Sequence, residues 1–296
     1  MQLTITTFTD PMMGLSYECY PIFRKLETHF PGNLKFPMVM CCLVRDVHAL
    51  LDPADLPHGE AYAIERYNHR LARIYESEEP ISGMPINMAG FQLFSPEHIS
   101  SMPLDLAYKA AELTCREKVE NFLYRLRFAT IVETRPTTQW QELLHVAKAC
   151  GLNEEAFTRN YTDGSAQLAL DKDLALCQSL GIHQLPAYQL SYGDKSLLVQ
   201  GLVSYQGFVE YISELSDGRI REERVSWDIE TVRSFLRAHP LISPIELCEA
   251  FDMEDPESVI DRLHPLFASG ELVLRAVARG VFIASNCVPK NSPCKP

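Results

Sequence analysis

A strand–helix–strand pattern in the first 45 residues constrains the fold more than any other part of the sequence. Residues 3–8 and 36–44 are apolar runs typical of buried strands. Between them, apolar residues recur at helical spacing: Leu15, Cys19, Ile22, Phe23, Leu26 and Phe30. The pair Pro31-Gly32 ends this helix. The pattern predicts a βαβ unit with a right-handed crossover, and therefore an α/β fold.

The junction between the first strand and the helix carries a motif. Phe8 stands two residues before the pair Asp10-Pro11, just ahead of the predicted helix. This stretch resembles the DsbA/FrnE-like branch of the thioredoxin superfamily, in which Phe-x-Asp-Pro-x precedes a Cys-x-x-Cys motif. The resemblance places Met13 and Ser16 at the two cysteine positions, so the site is expected to be degenerate.

Two further segments extend the resemblance. Pro21 lies five residues after Ser16, where thioredoxin-like proteins often carry a kinking proline. Residues 181–188, with the sequence Gly-Ile-His-Gln-Leu-Pro-Ala-Tyr, resemble the family's Gly-x-x-x-x-Pro-x-Phe segment. In the family the proline of this segment is cis and faces the active site. The resemblance therefore implies a cis peptide bond before Pro186.

The order of the predicted elements divides the chain into domains. Residues 122–127 and 149–152 resemble the later part of the helical insertion found in the FrnE-like and ClpXP-adaptor branches. The resemblance implies a thioredoxin-like fold with a helical insertion over roughly residues 1–215. Three helices and a hairpin beyond a polar linker follow the winged-helix pattern. The expected boundaries are 1–50 and 181–215 for the thioredoxin-like domain, 51–180 for the insertion, 216–226 for the linker, 227–286 for the winged-helix-like domain and 287–296 for a disordered tail.

Two capping-box patterns predict helix starts. Ser243 and Glu246 form one in the C-terminal domain, with Pro244 in the first turn. Thr138 and Gln141 form the other, in the insertion. In such a box the hydroxyl and the acidic or amide side chain satisfy backbone N–H groups that the helix leaves unpaired.

The bulk composition argues against several classes of partner. The 296 residues carry a formal net charge of −12, which argues against binding to nucleic acid or to an anionic membrane. No signal peptide or membrane span is visible, so a cytoplasmic protein is expected. The nine cysteines lack Cys-x-x-Cys spacing, and the nine histidines lack metal-ligand spacing. We therefore expect no metal, no cofactor and no disulfide framework.

The residues at the two cysteine positions determine the chemistry of the helix start. In this fold a thiolate at the helix N-terminus is the nucleophile, and a second thiol one turn later resolves the mixed disulfide. The thioether of Met13 cannot ionise, and the hydroxyl of Ser16 cannot resolve a disulfide. The alternative nucleophiles are Cys19, on the apolar face of the helix, and Ser16 itself. Kappa-class glutathione transferases and chromene-carboxylate isomerases, which are related, also use a serine near the helix start.

A binding groove is the remaining expectation for this site. Backbone N–H groups at the helix start can hold an anion or a carbonyl, and the Leu185 backbone can pair with an extended peptide. His183 lies close before Pro186, near the same groove. The alternative is that the chain's own residues 78–102 fill the groove. The predicted groove is lined by Met13, Gly14, Leu15, Ser16, Leu185 and Pro186.

The predicted winged-helix-like domain is acidic. Residues 225–288 hold five arginines, no lysine and ten acidic residues, a balance of −5. Recognition of DNA requires the opposite sign of charge, and Pro265 interrupts the helix that would enter the groove. We therefore expect a packing or protein-contact role for this domain.

Two classes of function remain. The first is a non-redox polypeptide-binding or adaptor protein, whose partner is a protein or peptide client; ClpXP adaptors of the resembling branch deliver clients to a protease. The second is a thiol-disulfide oxidoreductase or isomerase, or a glutathione-dependent enzyme, that uses Ser16 or Cys19. Its partner would be glutathione or another small thiol. The missing thiols favour the first class.

Overall fold

A computed structural model describes residues 1–286, so the expected disordered tail at 287–296 lies outside the described residues. The chain begins with β1 (Leu3–Thr9), α1 (Gly14–Glu18), α2 (Tyr20–His29), β2 (Leu34–Lys35) and β3 (Met38–Met40). Six helices follow: α3 (Glu60–Glu78), α4 (Met102–Thr114), α5 (Val119–Arg127), α6 (Trp140–Ala149), α7 (Glu154–Thr162) and α8 (Ser165–Ser179). The chain then returns with β4 (Ala187–Tyr192), β5 (Lys195–Gln200) and α9 (Tyr205–Ser216).

The first sheet is built around β1. Strands β2 and β3 pair in parallel with the two ends of β1, and β4 pairs with it antiparallel, with Phe8 opposite Ala187. Strand β5 completes the sheet as the antiparallel neighbour of β4. Helices α2 and α9 pack on one face, where Leu26 and Phe208 meet Tyr188. Helix α8 contributes Cys177 to the opposite face, so both faces of the sheet are covered.

The irregular segment between α3 and α4, residues 79–101, contributes buried side chains to the core although its sequence has neither helical nor strand periodicity. Met84, Ile86 and Phe94 are each at most 3% exposed and belong to the largest apolar core. Asn68 on α3 supports the segment, because its side chain donates to the Phe94 carbonyl at 2.8 Å and accepts from the Phe94 amide at 3.1 Å. The amide of Asn68 thus replaces a backbone partner for a buried, non-repetitive stretch.

The C-terminal elements form a second, three-stranded sheet with four helices. They are α10 (Ile229–Ala238), β6 (Leu241–Ile242), α11 (Pro244–Ala250), α12 (Pro256–Arg262), α13 (His264–Ala268), β7 (Leu272–Val277) and β8 (Gly280–Ser285). The strand order is β6-β8-β7, and the pairs are antiparallel. Helix α11 lies against α2, where the Thr28 hydroxyl donates to the Ala250 carbonyl at 2.6 Å. The ring of Phe282 contacts that of Phe128, with centroids 4.7 Å apart. The C-terminal unit therefore also packs on the helical part of the chain, which spans residues 60–179.

One capping prediction is confirmed and the other is wrong. Ser243 and Glu246 form the complete capping box at the start of α11. Thr138 does not cap α6, which begins after Gln139 without a side-chain cap. The Thr138 hydroxyl donates instead to the Leu93 carbonyl at 2.6 Å. A buried carbonyl without a hydrogen bond is costly, so Thr138 satisfies the Leu93 carbonyl and the start of α6 has no side-chain cap.

Candidate functional site

The turn between β1 and α1 is shaped by a buried carboxylate. Asp10 is fully buried and accepts hydrogen bonds from the backbone amides of Met12 at 2.9 Å and Leu43 at 2.6 Å. The Ser101 hydroxyl donates to the same carboxylate at 2.7 Å. Desolvation raises the pKa of Asp10, and these three hydrogen bonds oppose the shift. The Asp-Pro pair therefore fixes the geometry of the helix start.

The two positions of the missing thiols are adjacent and buried. Met13 is 6% exposed and Ser16 is 5% exposed. The Ser16 hydroxyl donates to the Met13 sulfur at 3.4 Å and accepts from the Thr9 hydroxyl at 2.8 Å. The two side chains are in direct contact, and neither a thioether nor a hydroxyl can carry out thiol exchange.

The end of α3 covers the helix start. The Tyr75 hydroxyl donates to the Met12 carbonyl, and both residues are buried. A β-carbon on Gly14 would lie 2.5 Å from Cδ1 of Tyr75 and would also overlap the Glu78 carboxylate, so only glycine fits beneath them. The alternative prediction from the sequence is that the chain's own residues 78–102 fill the groove. The residues over Gly14 are Tyr75, which precedes that segment, and Glu78, which begins it.

The Glu78 carboxylate lies above the helix start and differs from an ordinary surface carboxylate in its pKa and in its hydrogen bonding. Burial raises its pKa to about 7. Its Oε2 atom has no hydrogen-bond partner within residues 1–286. The chain thus places its own acidic group where the sequence predicted that the N–H groups near Gly14 and Leu15 would hold an external anion. Leu15 is half-buried at the edge of this contact.

The alternative nucleophile Cys19 is almost fully buried, although it also lines a cleft of about 760 Å³ together with Pro21, Ile22 and Val203. It is 3% exposed, and the Tyr188 hydroxyl donates to its sulfur at 3.5 Å. Burial raises the pKa of the Cys19 thiol, which disfavours the reactive thiolate. The cavity that Ser16 and Cys19 share measures about 10 Å³, which is room for one water at most and none for glutathione.

A buried arginine that the sequence analysis missed lies behind the site. Arg127 is 1% exposed, and its guanidinium donates to the Thr9 hydroxyl at 2.7 Å and to the Tyr20 hydroxyl at 3.0 Å. Because Thr9 donates in turn to Ser16, Arg127 belongs to the same hydrogen-bond network as the degenerate site. A sequence signal was available, since Arg127 continues the apolar face of Leu123 in the resembling segment 122–127.

Only the Leu185 end of the predicted groove is open. The Leu185–Pro186 peptide bond is cis, and Ala187 pairs with Phe8, so Pro186 lies next to the end of β1. Leu185 is half-buried and lines a cleft of about 730 Å³. The cleft is also lined by Cys41, Cys42, Leu43, Arg45, Cys177, Ile182 and His183. Of the six residues predicted to line the groove, only Leu185 lines this cleft, so the structure does not bring the predicted set together on one surface.

The described part of the chain contains neither a metal site nor a membrane-crossing helix. No three His, Cys, Asp or Glu side chains within residues 1–286 come together as metal ligands. In the same range no helix combines the length and the apolar composition that crossing a bilayer requires.

Comparison with known proteins agrees with this architecture. A family model described as Thioredoxin matches residues 6–210. The ClpXP adapter protein SpxH of Bacillus subtilis is 22% identical over 268 residues, which cover 88% of this chain and 83% of that protein. The SpxH of Bacillus licheniformis is 26% identical over 217 residues, covering 72% and 67%.

A solved structure shows the same fold. It is a candidate protein disulfide isomerase from Nitrosomonas europaea, with a TM-score of 0.61 at 15% sequence identity. The match covers 74% of this chain and all of the other. The resemblance predicted from the motifs around Asp10 and Pro186 is confirmed, and so is the thioredoxin-like fold. The chain therefore belongs to the thioredoxin family.

Proposed function

We propose that the chain is a non-redox adaptor that binds client polypeptides and presents them to a ClpXP protease. The observation that carries the proposal is the contact between Met13 and Ser16, the residues that the resemblance places at the two thiol positions. Without a thiolate at the helix start, that site keeps its shape and cannot carry out thiol exchange. Similarity to proteins named ClpXP adapters, over 88% of the chain in one case, supports the adaptor role.

The proposed contact surface for a client is the open cleft at Leu185, with the apolar side chains of Leu43 and Ile182 beside it. The amides of His183 and Gln184 donate to Oε1 of Gln200 at 2.9 and 3.1 Å. These bonds hold the loop against β5 and leave Leu185 at the cleft. An extended polypeptide could pair with the backbone here and place apolar side chains in the cleft.

We also propose that the winged-helix-like unit at 227–286 is a packing and protein-contact module. Three of its five arginines, Arg233, Arg275 and Arg279, already have acidic partners. Arg233 pairs with Glu271 at 2.9 Å, and Arg279 pairs with Glu79 of the helical part at 2.7 Å. A paired arginine is less available for a phosphate, because binding would first have to break the existing pair.

The test is protein turnover in the native host. Deleting the gene should prolong the half-lives of a small set of proteins, and inactivating the protease subunit should stabilise the same set. Those proteins should then be degraded faster by purified ClpXP when the full chain is added. The variant Leu185→Arg should lose the acceleration. Leu168→Arg, at a site on α8 that is 67% exposed, is the matched control and should retain it.

A parallel assay of insulin reduction separates this proposal from the enzyme alternative. The wild-type chain should not exceed the rate of free thiol. Turnover that Cys19→Ser abolishes would establish an enzyme and contradict the non-redox role. Unchanged half-lives in the deletion strain would contradict the adaptor role by itself.

A further inference from the structure

Two cysteines far apart in the sequence meet at the open cleft. Cys41 follows β3, Cys177 lies in the last turn of α8, and 136 positions separate them. Their sulfur atoms are 2.7 Å apart. A covalent S–S bond measures about 2.05 Å, so the two thiols are in direct contact with no atom between them.

Both thiols line the cleft, and their pKa values are shifted in opposite directions. Cys41 is half-buried and Cys177 is 7% exposed, and both line the cleft of about 730 Å³. A hydrogen bond from the Cys41 thiol lowers the pKa of Cys177, and the positive charge of Arg45 contributes in the same direction. The same contact raises the pKa of Cys41. The contact therefore favours ionisation of Cys177 over that of Cys41.

We propose that Cys41 and Cys177 form a reversible dithiol–disulfide pair that reacts with low-molecular-weight disulfides of the oxidised-glutathione class. In the first step the Cys177 sulfur attacks one sulfur of the small disulfide, which gives a mixed disulfide and releases one small thiol. In the second step the Cys41 sulfur attacks Cys177 and releases the other small thiol. The protein loses two protons and two electrons, and the small disulfide gains both.

The bond would connect two parts of the fold. Cys41 continues from the central sheet, whereas α8 belongs to the helical part, so oxidation would fix α8 to the sheet beside Leu185. Closing so long a loop restricts the unfolded chain and should stabilise the folded one. The inference goes beyond the adaptor proposal and does not depend on it, because it concerns thiols that the degenerate helix start does not include.

The neighbouring Cys42 provides a matched control. It is buried, and its sulfur lies 3.9 Å from the Val44 carbonyl, to which it donates. Its backbone φ of 51° directs the chain through a left-handed turn immediately after Cys41. Cys42→Ser therefore changes an adjacent thiol of the same cleft without removing either member of the proposed pair.

The experiment uses the full chain in mixtures of reduced and oxidised glutathione. After acid quenching, alkylation and digestion, mass spectrometry should find a Cys41–Cys177 cross-link whose fraction rises with the oxidised share. The cross-link should persist in Cys42→Ser and disappear in Cys41→Ser and Cys177→Ser. Oxidation should also raise the thermal midpoint of the wild type by several degrees, and reduction should reverse the shift.

The single variants test the order of the two steps. Cys41→Ser should accumulate a persistent glutathione adduct on Cys177, because no resolving thiol remains. Two results would overturn the proposal. One is wild-type protein in which both thiols remain fully alkylatable in the most oxidising mixture. The other is a dominant cross-link from Cys177 to Cys42. The wild-type peptide map needs no variant, so a folding defect in a substituted chain cannot obscure the result.

Discussion

Arg24 and Glu246 form a buried ion pair that joins the two ends of the chain. Nε of Arg24 donates to Oε1 of Glu246 at 3.2 Å, across 222 positions of sequence. The side chains are 4% and 0% exposed. The Tyr124 hydroxyl donates to the other carboxylate oxygen, and the Ser243 amide donates to it at 2.8 Å. One carboxylate therefore connects α2, α5 and the capping box of α11.

Removing that carboxylate should be costly. Glu246→Ala removes this partner of Arg24 and also leaves the buried Tyr124 hydroxyl and Ser243 amide without their acceptor, whereas Glu120 and Glu27 still pair with Arg24. We expect a loss of about 3 kcal/mol in the free energy of unfolding. Glu249→Ala is the matched control on the same helix, since Glu249 is half exposed and pairs with Lys25 at 3.6 Å. It should cost less than about 1 kcal/mol. Urea denaturation measures both, and equal losses would show that the ion pair adds no stability beyond a surface pair.

Stability should fall as pH rises from about 4.5 to about 8. Burial raises the pKa of Glu18 to about 8 and that of Glu78 to about 7, from an ordinary value of 4.5. The native state therefore binds these protons more tightly than the unfolded state does. Their contribution is fully present below pH 4.5 and is lost as pH rises through the native pKa values. The loss should be on the order of a few kcal/mol.

The same prediction can be tested with variants. Unfolding free energies measured from pH 5 to pH 9 should show a shallower decline in Glu18→Gln and in Glu78→Gln than in the wild type. Glu76→Gln changes an exposed carboxylate on α3 and should leave the slope unchanged. A slope that neither buried substitution alters would mean that both groups titrate normally.

Dithiol chemistry should be recoverable only when the helix start is uncovered. Met13→Cys with Ser16→Cys restores the thiols, and the helix N-terminus should lower the pKa of the first one below about 8.5. Tyr75 still lies over Gly14 and the Met12 carbonyl between β1 and α1, so we expect slow reaction with a chromogenic aromatic disulfide. Adding Tyr75→Ala should accelerate it at least about tenfold, because burial limits access.

The control for this prediction is Tyr67→Ala in the same double-cysteine background. Tyr67 is also buried on α3, and its ring contacts Phe94 instead of the helix start. Both tyrosine substitutions create cavities of comparable size, so general loosening would affect the two alike. A fast reaction with Tyr75 in place would show that the cover does not restrict access.

The full chain should not bind duplex DNA at physiological salt. Arg275 of the C-terminal hairpin pairs with Glu133 of the helical part, so its charge is already neutralised. The formal charge of −12 adds long-range repulsion. Fluorescence anisotropy with a labelled duplex should show no specific binding between 50 and 200 mM salt, a range over which true phosphate contacts weaken binding by about 10³-fold or more. Binding with that salt dependence would overturn the protein-contact role.

The sequence by itself determined the features that depend on neighbours a few residues away. The Asp10 turn, the βαβ pattern and the Ser243–Glu246 capping box all arise from hydrogen bonds or packing within one or two turns of chain. The absence of thiols at Met13 and Ser16 is also a sequence fact, and so is the chemistry it excludes. These local predictions were reliable because the distant partners, such as Ser101 at Asp10 and Tyr124 at Glu246, add to the local hydrogen bonds and do not replace them.

Tertiary structure alone decided how those features are used. The sequence does not show that Tyr75 covers Gly14, that Cys41 meets Cys177, or that Thr138 satisfies the Leu93 carbonyl and leaves α6 uncapped. Each contact joins residues 45 or more positions apart. The physical reason is that a buried polar group takes whatever partner the packed core brings within reach. The identity of that partner depends on the whole fold and leaves no periodic signal in the sequence.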